Sequence, residues 1–213
     1  MRIPMRTPIL ILALCATLGA CAAPPQRPDA DAETLARAAY RDPGNPSMTL
    51  ITVVNNRSGG GAHTALMVNA SEQVIFDPAG SFYADIVPER EDVLYGVSPR
   101  IFQAYRSAHA RETFHVVSQK IDLTPEQAQR AYQLVTSNGR VPGALCANAT
   151  SSLLRQIPGF EQIDVTYYPV KLQEQFAALP GVETDVYYEN DSEDLQKGLA
   201  VGNAALNQNA ATN

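Results

Sequence analysis

Three runs rich in β-branched residues, set one after another with short breaks between them, constrain this chain more than any other feature. Met48-Thr49-Leu50-Ile51-Thr52-Val53-Val54-Asn55 reads as a strand. Asn55-Asn56-Arg57-Ser58-Gly59-Gly60-Gly61 follows as a flexible loop, and His63-Thr64-Ala65-Leu66-Met67-Val68-Asn69 as a second strand. A tight turn at Ala70-Ser71 leads to a third strand, Gln73-Val74-Ile75-Phe76-Asp77, which Pro78-Ala79-Gly80 ends. Three successive strands joined this closely make a meander.

Helix signals come next and are local. Ser98-Pro99 supplies a cap and a first-turn proline ahead of Ile101, Phe102 and Tyr105. Glu112 to Leu123 is strand-like around Phe114, Val116, Val117 and Ile121. Thr124-Pro125-Glu126-Gln127 has the spacing of a capping box, and Ala128, Ala131, Tyr132 and Val135 recur at helical spacing. Pro142-Gly143 then breaks the chain, and Cys146 opens a further helical stretch through Arg155. Ile163–Tyr167 is expected as a strand, Pro169–Leu179 as a helix and Val182–Tyr188 as a strand. The elements predict an α+β domain over residues 48–189, followed by a polar, Ala- and Asn-rich tail over 190–213, expected as a frayed helix or disordered chain.

The N-terminus carries targeting signals. Arg2 and Arg6 precede the apolar run Pro8–Leu14, which is too short to span a bilayer comfortably and suits a signal peptide over residues 1–20. Leu18-Gly19-Ala20-Cys21 resembles a bacterial lipoprotein box, which implies a lipid on Cys21 and cleavage before it. Ala22 stands where an Asp would favour retention at the inner membrane, so the periplasmic side of the outer membrane is the expected location. Residues 21–47, with Pro24, Pro25, Pro28, Pro43 and Pro46, suit a lipid-anchored flexible tether, with room for a short helix near Ala32–Tyr40.

Export would take Arg2 and Arg6 from 16 basic residues and leave all 22 acidic ones, moving the formal charge from −6 to −8. A polyanion is therefore an unfavoured partner, and no nucleic acid is expected. The remaining 193 of 213 residues suffice for one domain with a proper core. Export also leaves Cys146 without a partner for an internal disulfide, because Cys15 lies in the signal segment and Cys21 is the lipid site. A lone thiol at the start of a helix is where the helix dipole favours a thiolate. A buried, inert cysteine in an ordinary helix is the competing reading.

A cysteine nucleophile needs a base and a group to orient that base. Of the three histidines, His63 follows the glycine-rich loop at the mouth of a strand, where backbone and substrate can come close. His115 lies inside a strand and His109 in a polar stretch, so His63 is the preferred base. Asp77 is the first choice to orient it, with Asn69 second. Hairpin parity decides between faces: an odd number of loop residues after the second strand puts His63 and Asp77 on one face, and a two-residue turn puts them on opposite faces.

A meander opening on His63-Thr64-Ala65-Leu66-Met67-Val68, then Val74-Ile75-Phe76-Asp77-Pro78, a capped helix, and Cys146 at a helix start resembles the circularly permuted branch of the NlpC-type papain-like cysteine hydrolases, within the lecithin retinol acyltransferase-like superfamily. The resemblance covers roughly Met48 to Val186. It implies a permuted papain-like core with Cys146 as nucleophile and His63 as base. The chain departs from the acyltransferase pattern in having Leu145 before the cysteine and no second histidine in the strand after His63.

The expectation is a thiol hydrolase of the envelope acting on an amide or ester, a peptidoglycan peptide or a related acyl substrate, without a cofactor. A lipid acyl hydrolase or transferase and a non-catalytic envelope scaffold are the rivals. There is no Cys-x-x-Cys, and the dispersed histidines do not read as a zinc site. Gly59-Gly60-Gly61 lacks the ending of a phosphate loop. Asp191, Glu193 and Asp194 read as a solvated acidic surface, and Tyr167-Tyr168 and Tyr187-Tyr188 as sheet packing or cleft lining.

Overall fold

The β-branched runs pair in the order in which they occur. The structure, a computed structural model, describes residues 28–210; the signal segment 1–20, Cys21 and the start of the tether lie outside the described residues. After a first helix, α1 (Ala32–Ala38), come β1 (Ser47–Asn55), β2 (Gly61–Asn69) and β3 (Gln73–Phe76). Two short strands follow, β4 (Glu89–Arg90) and β5 (Val93–Leu94), then α2 (Pro99–His109), β6 (Phe114–Asp122) and α3 (Pro125–Thr136). The chain continues through α4 (Cys146–Leu154), α5 (Pro169–Ala177), β7 (Glu183–Tyr187) and α6 (Leu195–Ala210). One antiparallel sheet runs β4-β5-β3-β2-β1-β6-β7, so the fold is α+β with the meander at its centre.

Both faces of the sheet are covered. Met48, Leu50, Leu66, Val68, Val74 and Phe76 point to one face, against residues of α3, α4 and α5 such as Ala131, Leu154 and Phe176. Ile51, Ala65 and Ile75 point to the other, against Ile101 and Tyr105 of α2 and Leu199 and Leu206 of α6. This double cover is why β1 is buried along nearly its whole length, where a one-sided sheet would alternate.

The caps act as their sequences demand. Ser98 accepts from the Ile101 amide at the start of α2. Thr124 and Gln127 complete the reciprocal capping box of α3.

Three stretches differ from expectation. Ile163–Tyr167 forms no strand: Ile163 is buried in the core, and the backbone amides of Asp164 and Thr166 bond to the Gln175 side chain and to Ser151 Oγ instead of to a neighbouring strand. Residues 195–210, expected as a frayed helix or disordered chain, do form a helix, α6, but a packed one, because Leu199 and Leu206 find a place in the second core. Residues 28–46, read as part of a flexible tether, run along the domain. Ala30 bonds to Glu89, Asp29 pairs with Arg140 at 2.7 Å, and the Tyr40 carbonyl accepts from the Gln73 amide. No α1 side chain is fully buried, but Leu35 packs against the core, and the hydrogen bonds flanking the helix tie the segment down. Among the described residues no helix is long and apolar enough to cross a membrane.

Candidate active site

Register brings the site together. Val68 faces Val74 and Asn69 faces Gln73, so Ala70, Ser71 and Glu72 form a three-residue loop. An odd loop leaves His63 and Asp77 on the same face of the sheet. At the other end of β2 the pairing slips: Val53 faces His63 while Val54 faces Gly61, so Ala62 is an extra residue. A bulge of this kind bends the strand and re-aims the side chain beside it. Gly61 is needed for a second reason, since a Cβ there would lie 2.6 Å from Pro169 Cβ at the start of α5.

β3 ends at Phe76 and turns away through Asp77-Pro78-Ala79-Gly80, closed by the Gly80 amide on the Asp77 carbonyl at 2.9 Å. Ala79 sits at φ 56, the positive value that the third residue of a type II turn requires. The turn aims the Asp77 carboxylate back at β2, where Oδ1 lies 2.7 Å from His63 Nε2. Tyr105 of α2, fully buried, donates its hydroxyl to the same oxygen at 2.6 Å. Gly80 leaves room for the carboxylate, because a Cβ there would stand 1.8 Å from Asp77 Oδ2.

Cys146 enters from the opposite face of the sheet, at the first turn of α4. Ala144 at φ 65 and the Leu145 amide bonded to Pro142 bend the chain so that the helix starts at the cysteine. Because β3 pairs with β2 only from Leu66 to Asn69, the edge of β2 beside His63 has no β3 partner. The sulfur lies at that edge, close enough to the His63 ring and to the backbone amides of Thr64 and Ala147 for all three to favour its thiolate. With Nε2 turned to Asp77, the ring offers Nδ1 to the sulfur.

Buried Asp92 ties the two halves. Its Oδ2 accepts from the Ala79 amide at 3.0 Å and the Val141 amide at 2.8 Å, so one carboxylate anchors both the Asp77 turn and the approach to Cys146.

The electrostatics follow from these contacts. Burial pushes the Cys146 thiol up, but the hydrogen bond and charge of His63 and the two amides outweigh it and leave the thiol below its ordinary value. Burial disfavours the His63 imidazolium, yet Asp77 first and Cys146 second raise it to about 10. Asp77 is likewise opposed by burial and held below the carboxylate range by His63. The geometry therefore supports a thiolate–imidazolium pair backed by a carboxylate. Burial and the neighbouring Asp77 raise Tyr105 well above its normal value, so it remains a neutral donor.

No family model, curated protein or solved structure matches this chain.

The structure thus brings together Cys146, His63 and Asp77. Asn69 is elsewhere, its amide donating to the Asp42 and Asn45 carbonyls. His115 bonds Asn56 and stacks on Tyr188, while Tyr187 lies beneath Arg106. Tyr167 and Tyr168 are exposed. The acidic run is more than a solvated surface: Asp191 lies 3.5 Å from buried Arg111, and Asp194 accepts from the Gln196 and Lys197 amides at the start of α6.

Sequence reading assigned no role at the site to Tyr105, Gly80 or Asp92, and His109, weighed there only as a base, is the fourth residue to join it. The His109 ring stacks on that of His63 with centroids 5.8 Å apart, although 46 positions separate them in the chain. Tyr105 and His109, four apart on α2, share a helix face, and that spacing was the one sequence signal available.

Proposed function

We propose that the protein is a thiol hydrolase with a permuted papain-like core, cleaving an amide or ester through an acyl-enzyme on Cys146. The observation that carries this reading is the meeting of Cys146, His63 and Asp77, with His63 bonded to Asp77 and beside the thiol, assembled from α4, β2 and the turn after β3. In the first step the thiolate attacks the substrate carbonyl, and the His63 imidazolium gives its proton to the leaving amine or alcohol. Asp77 holds the ring in the required orientation. The Cys146 backbone amide, at the free N-terminus of α4, is the donor proposed for the developing oxyanion. Water, deprotonated by His63, then releases the acid and regenerates the thiol.

The substrate proposed is an acyl group of the cell envelope, with a peptidoglycan peptide preferred over a lipid ester. That choice follows from the lipoprotein signal in the sequence, which would hold the domain by a lipid on Cys21 at the periplasmic side of the outer membrane.

Purified protein lacking residues 1–21 should form a covalent adduct at Cys146 with an activated acyl ester, visible by intact mass, and Cys146→Ala should abolish it. Asp77→Asn should reduce the rate by about 10²–10⁴-fold. Identical behaviour of wild type and Cys146→Ala toward acyl probes, peptidoglycan fragments and lipid esters would replace this reading with that of a binding module.

A further inference from the structure

Behind the face of His63 that meets the thiol, three ligand groups converge. His63 from β2, Asp77 from the turn after β3 and His109 from the last turn of α2 bring ligand atoms to within 4.8 Å of one another. Around an ion with bonds of about 2.0–2.2 Å, ligand atoms stand at most about 4.4 Å apart, so small side-chain rotations close the set. His109 is prepared for this role. Its Nδ1 lies 2.8 Å from the Tyr105 carbonyl, which can only accept, so the proton is on Nδ1 and Nε2 carries a free lone pair. Metal-binding histidines are oriented in this manner, by a carbonyl on the other nitrogen. Asp77 has a matching support in the Tyr105 hydroxyl. A cavity of about 290 Å³ lined by His63, His109, Gly80, Ser81, Arg111 and Glu193 gives access and room for bound water. The proposed hydrolysis uses His63 and Asp77 but leaves His109 without a task.

We propose that His63, Asp77 and His109 form a site for a divalent transition-metal ion of the Zn²⁺ type, and that its occupancy turns off the proposed hydrolysis by occupying its acid–base. Two imidazoles and one carboxylate suit Zn²⁺ and Co²⁺ better than the oxygen-seeking Mg²⁺ or Ca²⁺. The ion takes His63 Nε2, and the proton shared there with Asp77 leaves to solvent. Nδ1 then keeps its own proton, which it could give to the leaving group only by becoming an imidazolate, so the ring can neither protonate the leaving group nor take a proton from the water of the second step. The binding half of this proposal stands on geometry alone; the inhibitory half rests on the hydrolase reading.

The experiment uses the same soluble protein in two arms. In the first, Co²⁺ is titrated into Cys146→Ala and followed by visible absorption, with Zn²⁺ affinity measured by competition. One ion per chain should bind without the thiol, at least tenfold more weakly in His109→Ala and in His109→Gln. The Gln variant fills the site and keeps a donor for the Tyr105 carbonyl, and its circular dichroism checks the fold. Binding that needs Cys146, or that is unchanged in both His109 variants, overturns the site. In the second arm, Zn²⁺ should slow release of the acid from acylated wild type, and the ratio of rates with and without Zn²⁺ should approach one in His109→Gln. Metal bound in the first arm with no slowing in the second overturns the switch alone. A protein inert to all acyl probes would remove the hydrolase reading while the first arm still reports on the site.

Discussion

At the scale of single residues, the reactivity of Cys146 depends on which contacts outweigh burial. A free thiol ionises at about 8.5. The His63 bond and the amides of Thr64 and Ala147 depress that value here, and the raised His63 keeps its proton to about 10. Iodoacetamide should therefore alkylate Cys146 faster than a free cysteine at pH 6, and His63→Ala should slow the reaction at that pH by roughly tenfold or more. The sign for stability is set by the same pair. His63 is raised in the folded state, so its contribution is complete below its unfolded value of 6.5 and is lost as pH climbs through about 10. The gap between wild type and His63→Ala in urea unfolding should shrink over that interval. Gly80 offers a separate check. A methyl group at this position must displace the Asp77 carboxylate, so Gly80→Ala should cost about 1–3 kcal/mol and slow alkylation at pH 6 as His63→Ala does.

At the scale of elements, the site is a junction of strand ends and helix ends held by a few buried polar groups. Asp92, at φ 62 between β4 and β5, is the strut between the Asp77 turn and the segment leading to α4. Asp92→Ala leaves two amides without their acceptor and should destabilise the protein by about 3 kcal/mol or more. It should also lower Cys146 reactivity, because both halves of the site lose their common anchor. Thr124→Ala, which removes one side of the α3 capping box, is the contrasting change: about 1 kcal/mol in thermal unfolding and no change in alkylation rate.

At the scale of the whole molecule, α6 completes the second core. Leu199 and Leu206 are buried, the Arg111 guanidinium packs where a Gly198 Cβ would stand, and Arg100 donates to the Leu206 carbonyl. Burying an aliphatic side chain contributes about 1.5–3 kcal/mol. Removal of residues 190–213 should thus lower stability by roughly 3 kcal/mol or more, read as a fall in Tm, whereas a merely appended tail would leave it unchanged.

What the sequence determined by itself was local. The β-branched runs, the Ser98 and Thr124 caps and the Pro142-Gly143 break before Cys146 act within a few residues, so β1 to β3, β6, and α2 to α4 could be read directly. Cys146, His63 and Asp77 could be named from residue type and position, but their meeting could not, because it turns on whether the loop after Asn69 holds two residues or three. Only the tertiary structure decided that register, since one residue more or less moves Asp77 to the other face. The same holds for Tyr105, His109 and Asp92, whose roles exist only where α2 and the β4–β5 turn pack against the sheet. It holds too for residues 195–210, where polar composition left a frayed helix or loose chain open and two leucines with a core to enter decided for a packed helix. Propensity is a property of neighbours in the chain, whereas an active site is made by neighbours in space.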